Sequence, residues 1–503
     1  MSLAVLSSRA QLGIEAPLVS IEVHLSNGLP NLSIVGLPEA AVKESKDRVR
    51  SAIINSGFNF PNKRITINLA PADLPKSSGR FDLPIALGVL YASGQINLVK
   101  DTQEFEFAGE LSLSGELRKI ASSIPMAIKS VSSKKKIIVP IQNEKEIALV
   151  EDVEAYGFEN LRDVVDFLSG DTVCDQIKPG EKIGFESLYQ DLEDVKGQYQ
   201  AKRALEIAAS GGHNILLVGP PGTGKTMLAS RLNSILPSLD KKEALSSAMI
   251  ASIKGETDIA ESFYKRPFRH PHHTSSGVSL VGGGSNPMPG EISLAHNGVL
   301  FLDELPEFDS KVLEVLREPL ETGTINISRA KCQVEYPANF QLIAAMNPCP
   351  CGYLGSQYKD CSDSLQAIRR YQAKLSGPLL DRIDLHVEVL ELPKDDLTNQ
   401  ELKGEKSIVV RERVEKARKR QLIRQGKINS ELSSKELDKV CQLDDESKKM
   451  LSMAIDKMGL SARGYYKILK VARTIADLND SSVVDKRAIQ EAIGYRKMDK
   501  FIK

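Results

Sequence analysis

The chain has 503 residues, 41% hydrophobic and 26% charged, so it is long enough for about two to four folded domains and needs no disulfide staples. Lysine plus arginine and aspartate plus glutamate both number 66, so net charge is zero and any nucleic-acid surface has to be a local patch. Six cysteines exclude a disulfide framework, no apolar stretch reaches the ~18 residues of a membrane span, and Met1 to Ala10 lacks the basic start and apolar core of a signal peptide, which together read as a soluble cytoplasmic protein.

Residues 1–170 read as a mixed α/β unit. Val19, Ile21, Val23 and Leu25 alternate with polar residues as a half-buried strand does, and Asn27-Gly28 marks a turn. Leu32 to Val35 is a second strand, Pro38 opens a helix at its first turn, and Gly57 closes it. Ile65, Ile67 and Leu69 alternate again, Asp82 to Ala92 is apolar enough for a buried helix, and Ile137 to Val139 is a short strand stopped by Pro140. Residues 171–190, with Pro179-Gly180, read as a linker. Residues 191–395 alternate strand and helix, and 396–503 read as wholly helical and charged.

The chemistry concentrates in 191–395. The apolar run Asn214 to Val218 feeds Gly219, Pro220, Pro221, Gly222, Thr223, Gly224, Lys225 and Thr226, and Met227 onward continues as a helix. This is a phosphate-binding P-loop in its required strand-to-helix context. Its glycines let backbone N–H groups turn toward phosphate oxygens, and the helix dipole adds to the attraction. Lys225 is positioned for the β- and γ-phosphates and Thr226 for Mg²⁺, so ATP and Mg²⁺ are the expected ligands.

A second apolar run, Gly298 to Leu302, ends in Asp303 and Glu304. Asp303 at a strand tip suits Mg²⁺, and Glu304 suits orienting and deprotonating the attacking water. A third, Phe340 to Met346, ends in Asn347, within reach of the γ-phosphate or the water. Arg382, in Ser376 to Asp384, is either a finger reaching a neighbour's γ-phosphate in a ring or a surface arginine paired with Asp381 or Asp384. Arg463 opens a C-terminal helix, from which a lid arginine can clasp the same nucleotide from the side.

These stretches resemble the ComM (YifB) family of magnesium-chelatase-like AAA+ ATPases. The resemblance is carried by Arg266-Pro-Phe-Arg269 with Pro271-His-His273, Pro289 to His296, Gly298 to Leu305, Ser328-Arg-Ala330, Ala344 to Gly352, and Ser376 to Asp384, and it spans nearly the whole chain. It implies a Lon-protease-like (ribosomal S5 domain 2-like) N-terminal domain, a P-loop AAA+ core with inserts, and a helical lid of the magnesium-chelatase C-terminal type. It implies a homohexameric ring in which Arg382 acts in trans and Arg463 is the lid sensor. It further implies a helicase or branch-migration motor for recombination intermediates in natural transformation. Its partners would be forked, three-stranded or single-stranded DNA and the recombination machinery, with no membrane role.

Inserts are visible as length, because Lys225 and Asp303 are 78 residues apart. The stretch Arg266 to Gly290 is rich in Gly, Pro and His and reads as a loop facing DNA more readily than as a metal site. Gly323 to Tyr336 reads as two strands whose turn carries Arg329 and Lys331, a candidate DNA-gripping hairpin. Lys403 to Lys427 has ten Lys/Arg against three Glu, which suits either a solvated helix or phosphate contact. Cys349, Cys351 and Cys361 offer three thiolates for zinc, with no clear fourth ligand: Asp363 stands two residues on, and Cys332 is distant.

In the Lon-like comparison, Ala108 to Gly115 matches a strand-turn segment. The serine that would open the helix is replaced by Gly79-Arg80-Phe81-Asp82, and Ile124 stands where the lysine would follow. Ser77 and Ser78 lie earlier in the loop without an evident lysine partner, and a nucleophile without its base argues against peptidase activity. The alternative to a DNA motor is a magnesium-chelatase-type regulatory ATPase that remodels a protein partner.

Overall fold

The computed structural model describes residues 3–36, 40–76, 78–180, 190–284, 286–329, 332–393, 404–458 and 461–496. The architecture is mixed α/β, with parallel strands in its sheets and helices at the C-terminal end.

The N-terminal unit holds a four-stranded sheet ordered Leu3–Arg9, Leu18–Ser26, Arg64–Ala70, Asn31–Val35, antiparallel except for its last pair. The alternation at Val19, Ile21, Val23 and Leu25 faces the core, as does that at Ile65, Ile67 and Leu69. Helix Asp82–Ala92 packs on this sheet and is buried almost all round, which is why it is apolar on every face. A three-stranded parallel sheet, Phe105–Phe107, Lys136–Pro140 and Ala155–Phe158, completes the unit. Pro38 lies outside the described residues. Gly57 follows helix Ala40–Asn55 with φ +83°, the left-handed conformation that favours glycine after a helix.

The first strand was not foreseen, and its burial explains why. Ser8 is buried on the face of Ala4 and Leu6, and Arg9 is buried on the opposite face, so the apolar alternation is broken. Arg9 is buried because Glu106 meets it at 2.6 Å from both Nε and Nη2, while its Nη1 donates to the Ala16 carbonyl.

The central sheet has five parallel strands in spatial order Phe268–Arg269, Val299–Leu302, Gln341–Met346, Ile215–Val218, Leu385–Glu388. Its interior strands are fully buried, Ile215–Val218 and Val299–Leu302 at every residue, because cores cover both faces. This explains their continuous apolar runs. The Ile215 strand sits between the fourth and fifth strands in chain order, so its C-terminal end opens onto a topological switch point, where ligands bind in such sheets.

The C-terminal helices share one apolar core with the near face of this sheet. A polar cluster reinforces the join. Asp384 Oδ2 accepts from the Asn214 backbone N–H at 3.0 Å, and Lys467 Nζ lies 2.8 Å from Asp384 Oδ1. Burial alone would raise the Asp384 pKa, but Lys467 and His213 hold it well below the usual carboxylate range. Its contribution to docking of the C-terminal helices is therefore complete above pH ~4, where the unfolded carboxyl is ionised, and fades only as pH falls toward the lowered folded value. Lys467→Met leaves a buried carboxylate without its cation. It is expected to cost about 3 kcal/mol, the loss expected when one partner of a buried pair is removed. The check is a fall in the urea midpoint at pH 7 that shrinks in strong acid.

The N-terminal unit is also fastened to the core. Helix Ser123–Ser132 and helix Lys241–Lys254 share an apolar cluster, and the Ser122 backbone N–H donates to the Ser252 carbonyl at 2.8 Å. Helix Lys241–Lys254 begins with a capping box of Asp240 and Glu243. Arg80 is buried and donates to the Arg9 and Ala121 carbonyls, Asp82 is bound by Arg48 and Ser45, and Ile124 is core.

Among the described residues no helix is long and apolar enough to cross a membrane.

Candidate nucleotide-hydrolysis site

Strand register brings the site together. Val218 pairs with Met346 and Leu302 pairs with Ala344, so Gly219, Asp303 and Asn347 all leave the sheet at one C-terminal edge. There they border an open cleft of about 430 Å³ lined by Pro221, Gly222, Gly224, Lys225, Thr226, Asp303, Glu304 and Asn347 among others. Gly219 and Pro220 lie just behind, against Pro348 and Leu390.

The glycines serve two different needs. Gly222 and Gly224 have φ +81° and +86° with open space where a Cβ would stand, so conformation dictates them. At Gly219 a Cβ would lie 2.2 Å from the Val389 carbonyl oxygen, so space dictates it. Thr223 Oγ1 closes the turn by donating to the Pro220 carbonyl at 2.9 Å.

Lys225 Nζ donates to the Gly219 and Pro220 carbonyls at 2.7 and 2.8 Å and lies 3.2 Å from Asn347 Oδ1. Burial lowers its pKa, opposed by Asp303 and Glu304. Thr226 Oγ1 donates to Asp303 Oδ2 at 2.7 Å, which brings together the hydroxyl and the carboxylate that would hold a Mg²⁺ ion. The donor set therefore fits a magnesium nucleotide: an all-oxygen pair for the ion, beside an open loop and an ammonium for phosphates.

Glu304 stands in the left-handed region at φ +53° and contacts His273 Nδ1 through its Oε2 at 3.0 Å. His273 was noticed only within the His-rich loop. That loop lies along this site, with His270 stacked on Phe301 at 4.6 Å and His272 stacked on His273 at 4.2 Å.

The neighbouring motifs are structural. Arg269 bridges Glu256 and Glu291 at 2.8 and 2.7 Å, and Arg266 donates to the Pro237 and Asn297 carbonyls. His296 accepts from the Asn339 backbone N–H and meets Ser246, and burial pushes its pKa down to about 4, which keeps it neutral.

Arg382 and Arg463 stand elsewhere, and together. Arg382 Nη2 pairs with Glu321 Oε1, and Arg463 Nη2 reaches the same oxygen at 3.7 Å. Arg382 Nη1 also donates to the Pro378 carbonyl at 2.6 Å. Its carboxylate partner is Glu321, a residue the sequence reading did not single out, in place of the Asp381 or Asp384 considered there. Arg463 is 64% exposed and shares the Arg382 surface, not the wall of the cleft formed by its own P-loop.

The hairpin Thr324–Arg329 and Cys332–Pro337 forms with Arg329 opposite Cys332. Lys331 lies outside the described residues. Arg329 is exposed and its Nη2 lies over Gly283, where an added Cβ would stand 2.7 Å away. Tyr336 Oη anchors the hairpin base by donating to the Pro287 carbonyl at 2.8 Å. The basic helix Ser407–Gln425 and the residues after it spend most of their cations internally. Arg411, Arg413, Arg418, Arg420, Arg424 and Lys427 bind carbonyls or carboxylates of the core and lid.

Cys349, Cys351 and Cys361 meet with Asp363, all four ligand atoms lying within 4.8 Å of one another.

Known proteins match this chain in sequence along nearly its whole length. The family described as magnesium chelatase, subunit ChlI, matches residues 191–397, its companion subunit ChlI of Mg-chelatase matches 21–143, and its C-terminal family matches 404–496. Competence protein ComM of Haemophilus influenzae is 51% identical over 502 residues, covering 99% of this chain and 98% of its own length. Uncharacterized protein YifB of Escherichia coli is 49% identical, covering 100% of this chain and 98% of its own. This chain belongs to the ComM (YifB) family. The family's magnesium-chelatase-like character extends to the 67 kDa magnesium-chelatase subunit of Heliobacterium mobile, 28% identical over 39% of this chain and 30% of that protein. An AAA+ ATPase using ATP and Mg²⁺ is what this membership and the cleft imply.

Proposed function

We propose that this chain is the subunit of a homohexameric, ATP-driven DNA motor that unwinds or branch-migrates recombination intermediates during natural transformation. The observation that carries the reading is the separation of charges. The described residues lining the cleft include no arginine, while Arg382 and Arg463 stand side by side on Glu321. The γ-phosphoryl group passing to water, and the β-phosphate oxygen that leaves with ADP, need cationic stabilisation, and in a ring a neighbour's Arg382 would supply it, with Arg463 beside it. Lys225 would hold the β- and γ-phosphates, Glu304 would take the proton of the attacking water, and Asn347 would orient that water. Thr226 and Asp303 would hold the Mg²⁺ ion, whose charge offsets that of the phosphates. The relative named as a competence protein supports DNA as the substrate. Residues 1–170 fit a Lon-protease-like module that serves assembly or binding.

The exposed Arg329 at the hairpin end, with Lys331, is the proposed DNA grip. Arg329→Ala with Lys331→Ala is expected to abolish DNA stimulation of the ATPase, spare basal hydrolysis, and flatten the salt dependence of binding by about one unit per lost phosphate contact. Full stimulation in the double variant contradicts the assignment. The similarity to the Heliobacterium subunit favours one other reading, a chelatase-type regulator. That reading is marked by an ATPase indifferent to DNA and dependent on a large protein partner.

A further inference from the structure

We propose that Cys349, Cys351, Cys361 and Asp363 bind one zinc ion, which clamps segment 348–363 against the nucleotide-binding loop. The three sulfurs form a nearly equilateral triangle: 3.4 Å between Cys349 and Cys351, 3.5 Å between Cys351 and Cys361, and 3.6 Å between Cys349 and Cys361. A tetrahedral zinc with Zn–S bonds of about 2.3 Å places its sulfurs about 3.8 Å apart. A disulfide would draw two sulfurs together and set the third apart, whereas a shared ion keeps all three equivalent. All three cysteines are free.

Asp363 closes the fourth corner. Its Oδ2 accepts from the Cys351 backbone N–H at 2.7 Å and lies 3.9 Å from Cys361 Sγ. The Leu354 backbone N–H points at Cys349 Sγ from 3.4 Å, a bond that supports a thiolate. Three thiolates with one carboxylate oxygen in a tetrahedron suit zinc. Sulfurs only 3.4–3.6 Å apart surround a single ion, and a set this rich in soft thiolates does not suit the hard oxygen shells of magnesium or calcium.

The ion's place gives it a task. Cys349 is buried two residues after Asn347. Where the segment turns at Gly352, a Cβ would come within 2.8 Å of Pro221 and 3.8 Å of the Asn347 side chain. Gln372 Nε2 donates to the Pro348 carbonyl at 3.0 Å, and Ser356 Oγ donates to Glu391 at 2.8 Å, so the knot is held between the P-loop and the segment that follows strand Leu385–Glu388. Holding the four ligands therefore holds Asn347 and Pro221. The metal claim stands independently of the ATPase reading, and only its effect on nucleotide rests on it.

The test is the metal content of the full chain, purified under reducing conditions without added metal. About one zinc per chain is expected. Cobalt(II) offered to the stripped protein is expected to give a thiolate charge-transfer band and the visible absorption of a tetrahedral site. Asp363→Ala is expected to weaken zinc binding at least about tenfold, and Asp363→Cys to restore it. A wild-type chain that holds no zinc and takes up neither zinc nor cobalt overturns the site. Zinc held equally well by Asp363→Ala removes Asp363 from it. If the variants fail to fold, the wild-type zinc count and cobalt spectrum decide. Loss of zinc with ATP affinity unchanged refutes the clamp and leaves the site standing.

Discussion

Glu304→Gln is expected to slow ATP hydrolysis by about 10²–10⁴-fold while leaving ATP affinity intact. The separation of the two effects follows from which groups touch what. Phosphate and metal contacts fall to Lys225, Thr226 and Asp303, and the Thr226–Asp303 hydrogen bond at 2.7 Å does not involve Glu304. Glutamine keeps the shape, and its carbonyl can still meet His273, which contacts Glu304 at 3.0 Å in the native chain. Only the capacity to accept a proton is lost. Phosphate release under saturating ATP measures the first quantity and equilibrium binding of a fluorescent nucleotide the second. A rate within tenfold of the native one would remove Glu304 from the role of base.

Arg382→Ala is expected to lower the turnover rate by about 10³-fold, at the lower end of the range for arginine fingers. The larger point is where the loss falls. If Arg382 completes a neighbour's site, its variant and Glu304→Gln are defective in different halves of one composite site. An Arg382→Ala subunit keeps its own Glu304, and a Glu304→Gln neighbour keeps its own Arg382. Mixing the two inactive proteins should therefore restore part of the ATPase activity. If Arg382 served its own subunit, no mixture would recover. Glu321 belongs in the same comparison, since it holds Arg382 and Arg463 when no neighbour is present. Formation of the ring would exchange that carboxylate for a phosphate.

Much of the candidate nucleotide site was legible in the sequence because it is local. The candidate phosphate-binding loop is eight consecutive residues, and Asp303, Glu304 and Asn347 each follow an apolar run that double-sided burial makes conspicuous. The parts that were not legible depend on contacts between distant segments. His273 reaches Glu304 from a separate loop, and its sequence context of clustered histidines suggested other chemistry. Glu321 looked like any surface acid until the fold set it between two arginines from the core and the lid. Asp363 was visible beside the cysteines, but only the folded loop brings its carboxylate to the sulfurs. The positive run around Ser407–Gln425 shows the converse. Its charge suggested a solvated or phosphate-binding helix, whereas Arg413, Arg420 and Arg424 are paired with carboxylates of the core and lid.

The central claim is that hydrolysis at this cleft moves DNA strands. It is tested most directly by strand displacement on labelled forked and three-strand DNA with ATP, using the native chain and Glu304→Gln side by side. The account expects the native protein to displace strands and Glu304→Gln to bind the same DNA without displacing it. Native protein that hydrolyses ATP yet neither binds nor moves any of these substrates would contradict the account and turn the search toward a protein client.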